Sequence, residues 1–227
     1  MAEAVYRVEG VPLGKQVFTA RALLIDNDGV LVDSLASIRL AFSRWGEMHG
    51  LDGDAIYRGF GGQRSEDIAR ILFGPQLGAS AALELDQLEI ELAPLVRALP
   101  GAHDLLAPIG GDWTLVTSGP RALATARLAA SGLPIPRILV SGDDVTAGKP
   151  SPQSYLLAAQ LNNVEPQSCL VLEDSLVGVG AAVAAGCRTV RIGDEDLLGQ
   201  VFRVPALTHV SVTGSTGRYS ITVWADE

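Results

Sequence analysis

A doubly wound parallel-sheet α/β core of Rossmann-like type, interrupted by an inserted α-helical subdomain, is the fold this sequence predicts. Three observations lead there. From Thr114 onward, short apolar runs alternate with helical patterns across brief connections, as in a parallel sheet covered by helices on both faces. An earlier apolar run, "ARALLID", reads as one more fully buried strand of that sheet. Between it and the next strand-like run, "DWTLVTSG", the patterns are helical until about Leu99. The expected organisation is a discontinuous core of residues 20–33 and 100–227, a helical insertion of residues 34–99, and an N-terminal extension of residues 1–19 with no assigned role.

The elements follow in order. "SLASIRLAFSRWGEMHG" is a helix: Ser34 can cap it, Ile38, Ala41, Phe42 and Trp45 share one face, and Gly50 can end it. "YRGFGGQRS" is a glycine-rich loop, and "SEDIARILF" and "ASAALELDQLEIELAPLVRAL" are helical, the latter with a solvated acidic face. After the strand "DWTLVTSG", "PRALATARLAASG" is a helix opened by proline and closed by glycine. Then come strand "RILVSG", helix "SPQSYLLAAQLNNV", strand "CLVLED", helix "SLVGVGAAVAAG", strand "CRTVRIG" and a last strand in "YSITVW".

Composition narrows the function classes. With 227 residues the chain can bury a sizeable core, and 48% hydrophobic residues mark an ordered globular protein. A net charge of −9 argues against a nucleic-acid surface. No apolar run reaches the roughly 18 residues of a membrane span. The first residues, "MAEAVYRVEGVPLGKQ", lack the basic and apolar regions of a signal peptide, so a cytoplasmic protein is expected. Cys169 and Cys187 begin strand-like runs and read as buried thiols in a reducing compartment. His49, His103 and His209 form no ligand spacing. Monomer and homodimer stay equally open.

In an open parallel sheet, ligands bind beyond the carboxyl ends of the strands. Those ends carry a coherent set. The first strand delivers Asp26 and Asp28, "TLVTSG" delivers Thr117 and Ser118, the loop after "RILVSG" leads to Lys149, and "CLVLED" delivers Glu173 and Asp174. A carboxylate can attack phosphorus and form an aspartyl-phosphate. Clustered carboxylates hold Mg²⁺, which prefers oxygen ligands, and the metal with a lysine offsets the charge of the phosphate. The glycine after Asp28 lets backbone amides come close to a phosphate. Taken singly, D-x-D-G, TSG, GKP and EDS each occur as ordinary turns and caps; it is their order and placement that point to phosphoryl transfer.

The segments "LLIDNDGVLVDS", "LVTSG", "GKPSPQSYLLAAQL" and "VLEDSLVGVGAAVAAG" resemble the four motifs of the haloacid dehalogenase-like hydrolase superfamily, over roughly residues 23–190. The resemblance implies Asp26 as nucleophile and Asp28 as general acid/base. It implies Thr117, Ser118 and Lys149 as phosphate contacts, and a Mg²⁺ site of Asp26, Asp28 through its backbone carbonyl, and Asp174, with Glu173 beside them. The insertion resembles the small helical cap of the phosphoglucomutase-like branch. There Gly62 and Arg64, in "GFGGQRSED", would face the substrate; the plainer reading pairs Arg64 with Glu66 or Asp67. "ALPGAHDLL", "TLVTSGPRALATARL" and "SGLPIP" are most similar to sugar- and polyol-phosphate phosphatases, which implies a small phosphorylated metabolite as substrate. One departure is Asn27, where the family has an apolar or aromatic residue; little effect is expected, because its backbone matters more than its side chain.

Rival readings separate on single positions. Dehalogenases of the family lack an acid at the place of Asp28, and phosphonate hydrolases need a cap lysine, which residues 34–99 do not contain. Sugar-phosphate mutases carry a histidine where this chain has Ile38. A mutase with the same core chemistry therefore stands as the alternative, and so does a non-catalytic, phosphorylatable receiver-like module.

Overall fold

Ala22–Ile25 is short, wholly apolar and buried at every position, as befits a central strand covered on both faces. The computed structural model describes residues 15–193 and 201–224, and the rest of the fold is arranged around that strand. The chain runs through β1 (Gln16–Ala20), β2 (Ala22–Ile25), β3 (Val32–Asp33), α1 (Leu35–His49), α2 (Gly53–Phe60), α3 (Ser65–Leu92) and β4 (Arg97–Ala98). It continues with α4 (Ala102–Leu106), β5 (Thr114–Val116), α5 (Arg121–Ala130), β6 (Ile138–Val140), α6 (Gln153–Leu161), β7 (Cys169–Glu173) and α7 (Leu176–Ala184). The last elements are β8 (Arg188–Ile192), β9 (Phe202–Val204), β10 (Val210–Ser215) and β11 (Arg218–Val223).

Six strands form a parallel sheet in the order β6-β5-β2-β7-β8-β9. The chain leaves β2 to build one flank with β5 and β6, then crosses back to build the other with β7 to β9. The winding reverses at β2, so its carboxyl end is the topological switch point where such sheets bind ligands. Alternate side chains of the strands feed opposite faces. Leu23, Ile25, Leu115, Leu170 and Leu172 join one buried cluster. Ala22, Leu24, Val116, Val140 and Val171 join another, under α6 and α7. Each fully buried aliphatic side chain contributes about 1.5–3 kcal/mol.

A third cluster is built only from residues between 41 and 92. Ala41, Phe42, Trp45, Ile56, Ile68, Ala81, Ala82 and Leu85 pack together, with Ile38 against their edge. Trp45 also donates its indole N–H to the Ala81 carbonyl at 2.8 Å, which joins α1 to α3. Two short strands, β3 and β4, pair antiparallel where the chain leaves and re-enters the core. No helix among the described residues is long and apolar enough to cross a membrane.

Several expectations need correction. Ser34 sits at the helix start but makes no capping bond; its hydroxyl goes to Asp28 instead. "YRGF" is the last turn of α2, so the loop before α3 shrinks to residues 61–64. The two expected helices after it merge across a kink at Gly74, where φ is 73° and Pro75 follows. The helix that was expected to reach Leu99 stops at Leu92; Pro94 lies in a 3₁₀ turn and residues 97–98 become β4.

The ends of the chain differ most. Of the extension, residues 1–14 lie outside the described residues, but Gln16–Ala20 is a strand. It pairs antiparallel with β11, and β11 with β10, in a separate three-stranded sheet. Alternating burial along β11 puts Tyr219, Ile221 and Val223 into the core cluster. Ile221 is wholly buried, so Ile221→Ala should cost about 2–5 kcal/mol of unfolding free energy in a denaturant titration. A loss below about 0.5 kcal/mol, the scale of an ordinary surface substitution, would show that the hairpin is peripheral.

Candidate active site

Asp26 follows β2 directly, and its N–H still bonds to the Leu172 carbonyl at 3.0 Å, so the nucleophile candidate leaves the sheet on a fixed backbone. The next turn is held by the Asn27 carbonyl, which accepts from the N–H groups of Leu31 and Val32. At Gly29, where φ is 83°, a side chain would collide with the Asp174 carboxylate, so glycine allows the two loops to meet. The Asn27 side chain is wholly buried and neither polar atom has a partner. Its cost falls on stability, about 1–3 kcal/mol.

Lys149 stands at the centre of the charged cluster. Its Nζ donates to Asp26 Oδ1 at 2.6 Å, to Glu173 Oε1 at 2.5 Å and to the Val116 carbonyl at 3.2 Å. The residue is only 4% exposed. Burial disfavours its charge, but Asp26 and Glu173 outweigh that and hold the ammonium well above its usual range. Glu173 is saturated. Beyond Lys149 it accepts from Tyr155 Oη at 3.0 Å on the same oxygen, and from the N–H and hydroxyl of Ser175, both at 3.0 Å, on the other.

Asp26, Glu173 and Asp174 each bring a carboxylate oxygen within 4.8 Å of the others. Burial raises the affinity of Asp26 for a proton, Lys149 opposes this, and Glu173, Asp174 and Asp28 add to it. Burial, then Glu173, push Asp174 up to about 8. This is an all-oxygen donor set with more negative charge than its lysine offsets, and it fits a hard divalent cation such as Mg²⁺. Asp26 and Asp174 suit a metal bond; Glu173, whose oxygens are taken, suits the holding of Lys149. Glu173 stands beside the other two acids, as the sequence places it.

Asp28 lies apart from this cluster's hydrogen bonds. Its Oδ1 accepts from Ser34 Oγ at 2.6 Å and meets Arg127 Nη1 at 2.9 Å. Arg127, from α5, is 2% exposed and reaches on to Glu89 Oε2 at 3.2 Å. Burial raises the Glu89 carboxyl to about 7, against the pull of Arg127. Thr117 directly follows β5 and is buried; its Oγ1 accepts from the Gly119 N–H. Ser118 Oγ donates to the Gly62 carbonyl at 2.7 Å, so the loop of residues 61–64 is seated on the core. Gly62 has φ of 84° and leaves only 2.8 Å between a would-be Cβ and Val177.

Asp26, Lys149, Glu173 and Asp174 thus converge, with Thr117 just past the end of the adjacent strand β5. Arg64 does not join them. It binds Asp67, as the plainer reading has it, and backbone carbonyls of the core. Arg127, Glu89 and Tyr155 went unnoticed in the sequence. The first two had a signal: Arg127 follows Leu123 and Ala124 on a buried helix face, and Glu89 sits between buried Leu85 and Leu92. The two cysteines are buried and unbridged.

Comparison with known proteins gives the family and the fold. Residues 20–186 match the haloacid dehalogenase-like hydrolase family. The chain is 38% identical over 178 residues to hexitol phosphatase A of Escherichia coli K12, covering 76% of this chain and 82% of that protein. It is 32% identical over 183 residues to validoxylamine A 7'-phosphate phosphatase of Streptomyces hygroscopicus subsp. limoneus, covering 73% and 82%. The β-phosphoglucomutase of Clostridium difficile shares the fold, with a TM-score of 0.74 at 23% identity, over 83% of this chain and 92% of that one.

The raised Asp174 carboxyl carries a pH test. An unfolded chain releases this proton near pH 4, the metal-free folded protein only near 8. The group therefore lowers stability as pH rises through that window. Mg²⁺ must displace the same proton, so the rise in Tm caused by Mg²⁺ should be larger at pH 8 than at pH 6 in differential scanning fluorimetry. A rise that is equal at the two pH values, or larger at pH 6, would place the cation elsewhere.

Proposed function

The chain belongs to the haloacid dehalogenase-like hydrolases, and on that premise we propose that it is a Mg²⁺-dependent phosphatase of a small sugar or polyol phosphate, working through an aspartyl-phosphate on Asp26. The observation that carries the reading is Asp26 at the switch point of the sheet, 2.6 Å from the buried ammonium of Lys149 and close to a second carboxylate, Asp174. The phosphatases named among its relatives support the substrate class.

Asp26 attacks phosphorus; its O–P bond forms as the bond to the leaving oxygen breaks. Lys149 offsets the approach of two anions and fixes the carboxylate. Thr117 and the Ser118 amide are the assigned contacts for the phosphoryl oxygens. Asp28 gives a proton to the leaving alkoxide. Because Ser34 and Arg127 both occupy its Oδ1, Oδ2 is the oxygen that carries that proton. Asp28 then takes a proton from water, which attacks phosphorus, releases phosphate and restores Asp26. Asp26, Asp174 and the Asp28 carbonyl would hold Mg²⁺, which supplies further charge neutralisation when bound.

A mutase is the second reading, since it shares the core residues. Against it, Ile38 stands where mutases carry a histidine, and it packs on the apolar cluster of the helical insertion. The insertion and the acid at position 28 also weigh against a receiver-like module, and Asp28 against carbon–halogen cleavage.

Asp26→Asn should abolish phosphate release without changing Tm by more than a few degrees. Asp28→Asn should slow a hexitol phosphate by about 10²–10⁴-fold and p-nitrophenyl phosphate much less, because that leaving group needs no proton. Retained turnover in the first variant, or equal losses on both substrates in the second, would overturn the assignment.

A further inference from the structure

We infer that Arg64 is a positioning residue: it latches the helical cap onto the core loop that leads into Lys149, and does not bind the substrate. A guanidinium has five N–H donors in a fixed fork. In Arg64, Nε donates to Asp67 Oδ2 at 2.7 Å and Nη2 to Asp67 Oδ1 at 2.9 Å. Nη2 also donates to the Thr146 carbonyl at 3.0 Å, and Nη1 to the carbonyls of Gly142 at 3.2 Å and Val145 at 2.6 Å. Five donors meet five acceptors, and the residue is 4% exposed. No donor is left to point at a sugar hydroxyl or a second phosphate.

The acceptors explain the role. Residues 64 and 67 belong to the cap, whereas Gly142, Val145 and Thr146 lie on the loop between β6 and Lys149. Asp67 completes the pair by accepting the Gly148 N–H at 3.3 Å, one residue before Lys149. Gly148 has no room for a side chain, since a Cβ would sit 2.7 Å from Arg64 Cγ and from Asp67 Oδ2. On the other side of the same cap loop, Ser118 holds the Gly62 carbonyl. Docking the cap therefore pins two core loops, and one of them ends in the ammonium that bonds Asp26. Opening the cap would release three backbone carbonyls and the guanidinium into water together. Closure of the cap and placement of Lys149 become one event.

The kinetic consequence rests on the phosphatase reading; the structural one does not. The test uses the full chain as wild type, Arg64→Met and Arg64→Lys. Amide hydrogen exchange is followed at residues 142–148, and kcat/KM is measured for a hexitol phosphate and for p-nitrophenyl phosphate. The latch predicts faster exchange at residues 142–148 in Arg64→Met, and a loss of about 10–100-fold on both substrates alike, the scale of lost charge-assisted bonds. Arg64→Lys, with a point charge in place of a fork, should restore little of either. Unchanged exchange, or a loss confined to the hexitol phosphate, would overturn the latch and return Arg64 to substrate recognition. If the wild type releases no phosphate from either compound, the phosphatase reading fails, and the exchange result still decides the latch.

Discussion

The buried ammonium of Lys149 is the contact on which the rest of the site depends. Three carboxylates gather at the ends of neighbouring strands, and each would be costly to bury alone. Lys149 bridges two of them and is itself tied to the Val116 carbonyl. Tyr155 and Ser175 occupy the remaining lone pairs of Glu173. A buried ion pair stabilises little unless its other hydrogen-bonding groups are satisfied, and here they are on the Glu173 side. Asp26 takes the same ammonium on one oxygen, Oδ1. That imbalance fits a carboxylate that reacts and a cation that is acquired from solution.

A second charged chain runs parallel to the first without touching it. Asp28, Arg127 and Glu89 link the acid/base candidate to the cap through a cation on α5. The two Asp residues of the D-x-D sequence thus stand in different electrostatic surroundings, one beside a lysine and the carboxylate of Asp174, the other beside an arginine. Separation of this kind lets two carboxylates two residues apart perform different tasks. The cap meets the core through polar groups, at Gly62, Arg64, Asp67 and Glu89, while the apolar residues of its helices form a cluster of their own. Interfaces of that composition open and close more readily than apolar ones.

The core of the fold was legible because its signals are local. Short apolar strands, Pro120 before a helix and Gly132 after it, and acids after apolar runs all act within a few residues. What escaped depended on distant partners. The strand Gln16–Ala20 alternates weakly and becomes a strand only because β11, some two hundred residues later, offers an edge. Residues 97–98 looked helical by composition, yet Pro94 and the pairing with Val32–Asp33 decide otherwise. Among the candidate site residues, Asp26, Asp28 and Asp174 were legible from their place after apolar strands, and Lys149 from the loop that follows β6. Arg64 was visible too, but its role turns on carbonyls near residue 145, and backbone acceptors leave no mark in a sequence. Asn27 is the reverse case: an exception plain in the sequence whose cost, two unpartnered buried atoms, only the packing shows.

The central claim is that Asp26 carries the phosphoryl group, and it can be read on the protein itself. Enzyme turning over a hexitol phosphate with Mg²⁺ is quenched with acid and reduced with borohydride, which converts an aspartyl-phosphate to homoserine; the peptides are then sequenced by mass spectrometry. The account predicts homoserine at position 26, and none when Asp26→Asn is treated alike. Homoserine at position 28 or 174 instead, or a phosphorylated side chain of another type, would contradict it.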